Sequence, residues 1–319
     1  MRSAVFFSRL ISQREMAELV LLADALVRAT PLILAGLAVA FAFKGGVFNI
    51  GAEGQLLAGA AASTWVALAL DDSIGRFAVV LAMLSGMIAG AAWAGVAAEL
   101  KRRFHVLEII STIMLNFVAI HLVSYLVRGP LQEPTHIYPQ TESLHPAAQL
   151  PVILPGTRLH LGFTLAIVIA LALGWLFRRT AWGFRVRAVG ASPQAARAAG
   201  RVNVDLTASM LFLVSGAIAG LAGSLEVSGV TFALYENISP GYGYTAIAVA
   251  LIAGLNPVAV IASGIFFGVL ETGATALQRE FGIPASLASI AEAALILAVL
   301  SLAVYRRHGL PGALRLAAR

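Results

Sequence analysis

Eight stretches of this chain are each apolar over close to the ~20 residues that a helix needs to cross a ~30 Å hydrocarbon layer, and no soluble fold accommodates so many. They run Leu26 to Phe43, Gln55 to Leu70, Phe77 to Ala98, Val106 to Val127, Leu161 to Phe177, Leu206 to Leu225, Tyr244 to Leu270 and Ala285 to Tyr305. Lipid offers a backbone no hydrogen-bond partner, and these stretches show no period-two alternation, so helices are predicted and barrel strands excluded. Of the 319 residues only 12% are charged and 59% are hydrophobic, against about 25% charged in soluble domains. The expected fold is all-α: a multi-pass membrane bundle forming one integral-membrane domain over residues 1–319.

The seventh stretch is predicted to break. Gly254-Leu255-Asn256-Pro257 removes a backbone donor and biases Asn256 away from helix, which divides the stretch into pieces of about a dozen residues. Charge then sets orientation. Arg178, Arg179, Arg185, Arg187, Arg197 and Arg201 cluster after the fifth stretch, Lys101, Arg102 and Arg103 after the third, and Arg306, Arg307, Arg315 and Arg319 in the tail. By the positive-inside rule these face the cytoplasm, while Asp71, Asp72, Glu226 and Glu236 face outward. An inside C-terminus requires the broken stretch to dip in and return. The same parity puts the N-terminus outside despite Arg2, Arg9 and Arg14: either Phe6 to Leu22 is an interfacial helix or an earlier span is missing. Residues 128–160, rich in proline, read as an external loop, and 178–205 as a cytoplasmic one.

The net charge of +6 is accounted for by topology, and no nucleic-acid partner is expected. Without cysteine, disulfides, thiolate metal sites and cysteine nucleophiles are excluded. No phosphate-binding loop, zinc helix or nucleophile turn occurs, so the chain itself is expected to be no enzyme and to need no cofactor or metal.

Gly86/Gly90, Gly216/Gly220 and Gly264/Gly268 place small residues one helical turn apart, where helix backbones can approach closely. A faint repeat links Gly86 through Val106 with Gly264 through Ile283. The loops that follow the two copies carry opposite topology, so halves of about 25–127 and 161–305 read as inverted repeats of the kind transporters use.

Polar residues inside such a bundle are costly and therefore informative. Between the first two stretches, Lys44 to Gln55 holds four glycines with Asn49, Glu53 and Gln55, which either line a polar cavity or cap helices. Its counterpart, Ser239 to Tyr244, adds Tyr242 and Tyr244, suited to a sugar or base ring, or equally to an interfacial belt. Asn116 and Glu292 lie mid-stretch, and each is either a substrate contact or a helix-to-helix hydrogen bond. In the cytoplasmic loop, Ser192 is a good N-cap, Pro193 a natural first helical residue and Gly200 a stop. This short helix is marginal alone, so its strong capping points to docking.

From Ala29 onward the chain resembles the integral-membrane permease family of bacterial ABC importers that includes ribose, branched-chain amino acid and nucleoside systems. The matching residues are Ala29 to Ala40 leading into Gly46-Val47-Phe48-Asn49-Ile50-Gly51-Ala52-Glu53-Gly54-Gln55, a signature similar to the nucleoside and simple-sugar branch. Arg187 to Gly200 is similar to the loop that docks into the ATPase, and Gly241 to Gly268 follows the family pattern through Asn256-Pro257. The resemblance implies a permease moving nucleosides or ribose-type sugars across the bacterial cytoplasmic (inner) membrane. It implies two ABC ATPase subunits, a second related permease chain or second copy, and an extracytoplasmic substrate-binding protein. It places Phe48, Asn49, Glu53, Gln55, Asn116, Tyr242, Tyr244 and Glu292 near the substrate pathway. It assigns ATPase docking to Gly190, Ser192, Pro193, Ala195, Ala196, Arg197, Gly200 and Arg201. The alternative is a secondary transporter driven by an ion gradient, with Glu292 as proton carrier.

Overall fold

The computed structural model describes residues 2–70, 74–200 and 202–281, together with 290, 293–294, 297–298 and 301. Glu292, Arg201, Asp71, Asp72 and the tail arginines lie outside the described residues. The chain divides into a compact unit, Met1–Val269, and a second, Leu270–Arg319. Among the described residues there is no strand, only isolated bridges, and six helices are long and apolar enough to cross a membrane.

The helices are α1 Arg2–Lys44, α2 Ala52–Ala69, α3 Phe77–Phe104, α4 Glu108–Arg128, α5 Leu161–Arg179, α6 Ala181–Ala191, α7 Pro193–Ala198, α8 Val204–Glu226, α9 Tyr242–Ile252 and α10 Pro257–Phe281. Phe6 to Leu22 and Leu26 to Phe43 form one continuous helix, with Pro31 inside it. Thr30 donates its hydroxyl to the Leu26 carbonyl at 3.0 Å, the kind of local bonding by which a membrane helix tolerates proline.

The centre is built from α1, α2 and α8. The α1 span is 83% buried, whereas the α4 and α5 spans are 28% buried. In α4 and α5, large residues such as Met114, Phe117, Val168 and Leu171 point outward, as lipid-facing helices allow. Glycine sets the central joints. A Cβ on Gly220 would lie 2.2 Å from the Gly86 carbonyl oxygen, one on Gly90 2.3 Å from that of Gly216, and one on Gly59 2.3 Å from that of Gly220. Backbones of α2, α3 and α8 therefore touch directly. At the other joint, Gly264 and Gly268 of α10 meet Ile33, Ala25 and Ala29 of α1. Both glycine pairs matched by the faint repeat thus serve as helix-crossing points.

The break in the seventh stretch is present. Gly254 (φ +59°) and Leu255 (φ +57°) turn left-handed, Asn256 accepts from the Val258 N–H at 3.1 Å, and Pro257 opens α10, a capped helix start. The pieces are not of equal length: α9 has 11 residues and α10 has 25, because nothing after Pro257 interrupts the apolar run. In the second unit, α10 continues from Leu270 to Phe281, with the Thr275 hydroxyl donating to the Glu271 carbonyl at 2.8 Å.

The 129–160 segment lies along the connection from α8 to α9. Thr141 and Leu144 donate backbone N–H groups to Leu234 and Phe232 at 2.9 and 2.7 Å. Arg128 grips the Glu236 carboxylate at 2.6 and 2.7 Å, with Ser124 also donating to it. These bonds hold the Glu236 carboxyl down to about 2, Arg128 first. His160 caps α5 by accepting from the Gly162 N–H at 3.1 Å. Burial, helped by the Arg158 charge, brings its pKa down to about 4, so the ring is neutral at physiological pH.

Candidate functional site

Between α1 and α2 the chain is irregular for seven residues, Gly45 to Gly51, and inside a membrane bundle such backbone must find its hydrogen bonds from neighbouring side chains. Helix α4 supplies them from one face, Glu108, Thr112 and Asn116 being spaced four residues apart. Phe48 N–H donates to Glu108 at 2.9 Å and Ile50 N–H to Thr112 at 3.3 Å. Asn116 donates to the Ile50 carbonyl at 3.0 Å and accepts from the Gly54 N–H at 2.8 Å. Glu108 is also paired with Lys101.

On its other side the connection is closed by a buried amide network. Asn49 donates to Gln55 at 3.0 Å and to Ser215 of α8 at 2.9 Å, and Gln55 returns a bond to Asn49 at 2.9 Å. Ser215 donates onward to the Ala38 carbonyl at 2.8 Å. Asn49 and Asn116 are fully buried, and Gln55 is 1% exposed. Their donors and acceptors are engaged within the protein. By contrast Phe48, whose ring meets that of Phe43 at 5.3 Å, is 50% and Tyr244 41% exposed.

Glu53 joins the two broken elements. It lies in the first turn of α2, 3% exposed, and accepts from the Gly243 N–H in the first turn of α9 at 2.7 Å. Ser239, whose Oγ accepts from the Tyr242 N–H at 3.0 Å, bonds the same carboxylate. A Cβ on Gly243 would lie 2.2 Å from the Glu53 nitrogen, so the starts of α2 and α9 are in backbone contact. Two positive helix ends would repel, and the carboxylate between them offsets both. Tyr242 is buried beside this junction. Glu53→Ala strands a buried N–H at a cost of about 1–3 kcal/mol and frees the start of α9. Uptake of labelled solute should fall about tenfold or more, with Glu53→Gln, which keeps one acceptor, falling less; wild-type uptake by the alanine variant would refute the role of this junction.

The segment from Thr180 to Gly200 has more structure than its sequence suggests. Besides α7, capped by Ser192 accepting from the Ala195 N–H at 3.2 Å, the preceding residues form α6, capped by Thr180 at 3.0 Å from the Gly183 N–H. Pro193 occupies the first turn of α7, and Gly200 (φ +68°) ends it. Ala196 packs with Val189 and Val204, while Arg197 bonds Asp205 at 2.6 Å, both exposed. Trp182 stacks on Phe41 of α1 with ring centroids 5.5 Å apart, and a Cβ on Gly190 would lie 2.2 Å from the Lys44 carbonyl oxygen. The sequence reading missed α6; Thr180 as a cap and Val186 and Val189 at helical spacing are the signals that could have found it.

The structure thus gathers Asn49, Gln55 and Asn116 around the connection, sets Glu53 and Tyr242 at the junction, and leaves Phe48 and Tyr244 exposed. It adds Glu108, Thr112 and Ser215, polar residues that look like ordinary helix positions in sequence, and Ser239 in the turn before α9. Among the described residues no three His, Asp or Glu side chains converge as metal ligands. A groove of about 510 Å³ between α2, α3 and α4, lined by Ala58, Trp65, Ala89, Trp93 and Leu122, is apolar, and none of these polar groups lines it.

Residues 21–300 match the family model described as branched-chain amino acid transport system / permease component. Over 300 residues the chain is 41% identical to a glucose ABC transporter permease protein of Haloferax volcanii, covering 90% of this chain and 78% of that one. It is 39% identical to a guanosine ABC transporter permease protein of Bacillus subtilis, with 85% and 78% covered, and 30% identical to a nucleoside ABC transporter permease protein of Lactococcus lactis, with 83% and 75% covered. No solved structure matches. Permeases of this kind are transport subunits that associate with ATPase and substrate-binding components. With its apolar spans, its helix break and a family match along most of its length, the chain belongs to the branched-chain amino acid transport system / permease component family, as a multi-pass permease subunit of an ABC importer.

Proposed function

We propose that this permease carries nucleosides or ribose-type sugars inward across the cytoplasmic membrane. The observation that carries the reading is the junction at Glu53, where two helices that begin inside the bundle meet beside buried Tyr242 with Tyr244 exposed. Discontinuous helices meeting at a repeat interface are where transporters hold solute, and an exposed aromatic ring stacks on a base or sugar face. The relatives named for guanosine, nucleosides and glucose bracket the same chemistry. On this reading Phe48, Tyr242 and Tyr244 face the pathway with Glu53, while Asn49, Gln55 and Asn116 act through the backbone they hold. Glu292 belongs to the same proposed pathway.

The halves 25–127 and 161–305 act as inverted repeats, with 128–160 outside and 178–205 and the C-terminus in the cytoplasm. Helices α6 and α7, carrying Gly190, Ser192, Pro193, Ala195, Ala196, Arg197, Gly200 and Arg201, dock onto one of two ATPases. A second related permease chain completes the membrane part, and a binding protein delivers solute. The test is competition in proteoliposomes holding the full complex. Labelled guanosine should enter only with ATP, unlabelled nucleosides should block it, and free pentoses should not. Blockage by pentoses and not by nucleosides would move the assignment to sugars.

A further inference from the structure

Helix α6 is fastened to the last turns of α1, through Trp182 on Phe41 and through Gly190 on the Lys44 carbonyl. The next residues of the chain are the irregular connection, and Gly46 (φ +78°) lies against Gly190 as well: a Cβ on Gly46 would be 3.3 Å from the Gly190 Cα. The connection has few bonds of its own, since only its first turns close on α1, by Gly45, Gly46 and Val47 N–H groups donating to Ala42 and Phe43 carbonyls at 3.1 Å. Beyond Val47 it makes two short-range bonds, the Asn49 N–H to the Val47 carbonyl at 3.1 Å and the Gly51 N–H to the Asn49 side-chain oxygen at 3.0 Å, and its Phe48 and Ile50 backbone is held by α4, at Glu108, Thr112 and Asn116. It then runs directly into α2, whose first turn carries Glu53. One short segment therefore touches the docking helix at one end and the junction of the broken helices at the other.

We propose that the Gly45–Gly51 connection transmits movement of the docking segment to the Glu53 junction, and that Glu108 and Thr112 are positioning residues that fasten it to α4. The proposal rests on the docking reading of α6 and α7. Glu108 and Thr112 touch no solute on this assignment; they determine whether a push on Gly46 moves α2 and α4 together or is lost in a slack loop. Thr112 donates its own hydroxyl hydrogen to the Glu108 carbonyl at 2.7 Å, which aims its lone pairs at the Ile50 N–H. Valine in its place keeps the shape and removes the acceptor.

The test uses the complete transporter, permease with ATPase, partner permease and binding protein, in proteoliposomes, measuring labelled guanosine taken up per ATP hydrolysed. Thr112→Val combined with Glu108→Ala should leave basal ATP hydrolysis close to wild type and lower uptake per ATP about tenfold, the size expected of coupling lost at a single contact set. Thr112→Ser, which restores the acceptor, should recover most of the ratio in the Glu108 wild-type background. A merely structural role would reduce folded complex, hydrolysis and uptake in parallel, and that outcome overturns the proposal, as does an unchanged ratio. Uptake by the wild-type permease with no ATPase bound overturns the docking reading itself, and this inference with it, before any variant is made.

Discussion

Gly220→Leu yields no stably folded permease. The site has no room at any cost a membrane bundle can meet: even a Cβ would sit 2.2 Å from the Gly86 carbonyl oxygen, and the neighbour is main chain, which cannot rotate away. Gly59 packs against Gly220 from α2 at the same level, so separating α8 from α3 also opens its contact with α2. Overpacking by a methylene costs about 1–3 kcal/mol in a core that can shift. Four added carbons against two backbones exceed that range, and lipid provides no hydrophobic drive to hold the helices together. The measurement is the monodisperse peak and melting profile of protein purified in mild detergent. Gly95→Ala is the control, because its Cβ meets only the end of the Leu213 side chain at 3.2 Å; it should behave like wild type to within about 0.5 kcal/mol. A Gly220→Leu protein that purifies and melts normally would mean that the three backbones do not meet as described.

On the docking proposed for α6 and α7, charge reversal at Arg197 and Arg201 should leave the fold intact and remove the partner. Arg197 and Asp205 are 63% and 73% exposed in their side chains, and an exposed pair contributes only about 0–1 kcal/mol. Arg197→Glu with Arg201→Glu therefore inserts normally, while turning an attractive face repulsive, which costs several kcal/mol across an interface. Recovery of the ATPase with tagged permease should drop about tenfold or more. Asp205→Ala separates the causes. It breaks the same ion pair without reversing the cationic face, and it should keep the ATPase. Full recovery with the double variant places the motor contact elsewhere on the chain.

The fold was legible where the chemistry is local. Apolar run length marks the spans, Asn256-Pro257 marks the break, and Ser192-Pro193 marks the start of α7, because each rests on a residue's own backbone preference. What a polar residue does inside the bundle was not legible, since Asn49, Gln55 and Asn116 can line a cavity or satisfy irregular backbone with the same amide groups. Their partners, Ser215, the Ile50 carbonyl and the Gly54 N–H, come from the packing of distant helices and not from local sequence. Glu108 and Thr112 were invisible for the same reason: their partners lie about 60 residues away in sequence, at separations of 60 and 62. Helix α6 was hidden by its arginines, which read as a topology signal and drew attention from its Thr180 cap and buried valines.

Where α2, α3 and α8 cross, carbonyls rest on bare α-carbons, with only the small side chains of Ser224 and Ala94 beside them. Backbones this close have little space to move past one another, so these three rods are expected to turn as one. The stroke of the pump must then be hinged around that block, among α1, α9 and the segments leading into them, and labels placed across the block should keep their spacing through the whole ATP cycle.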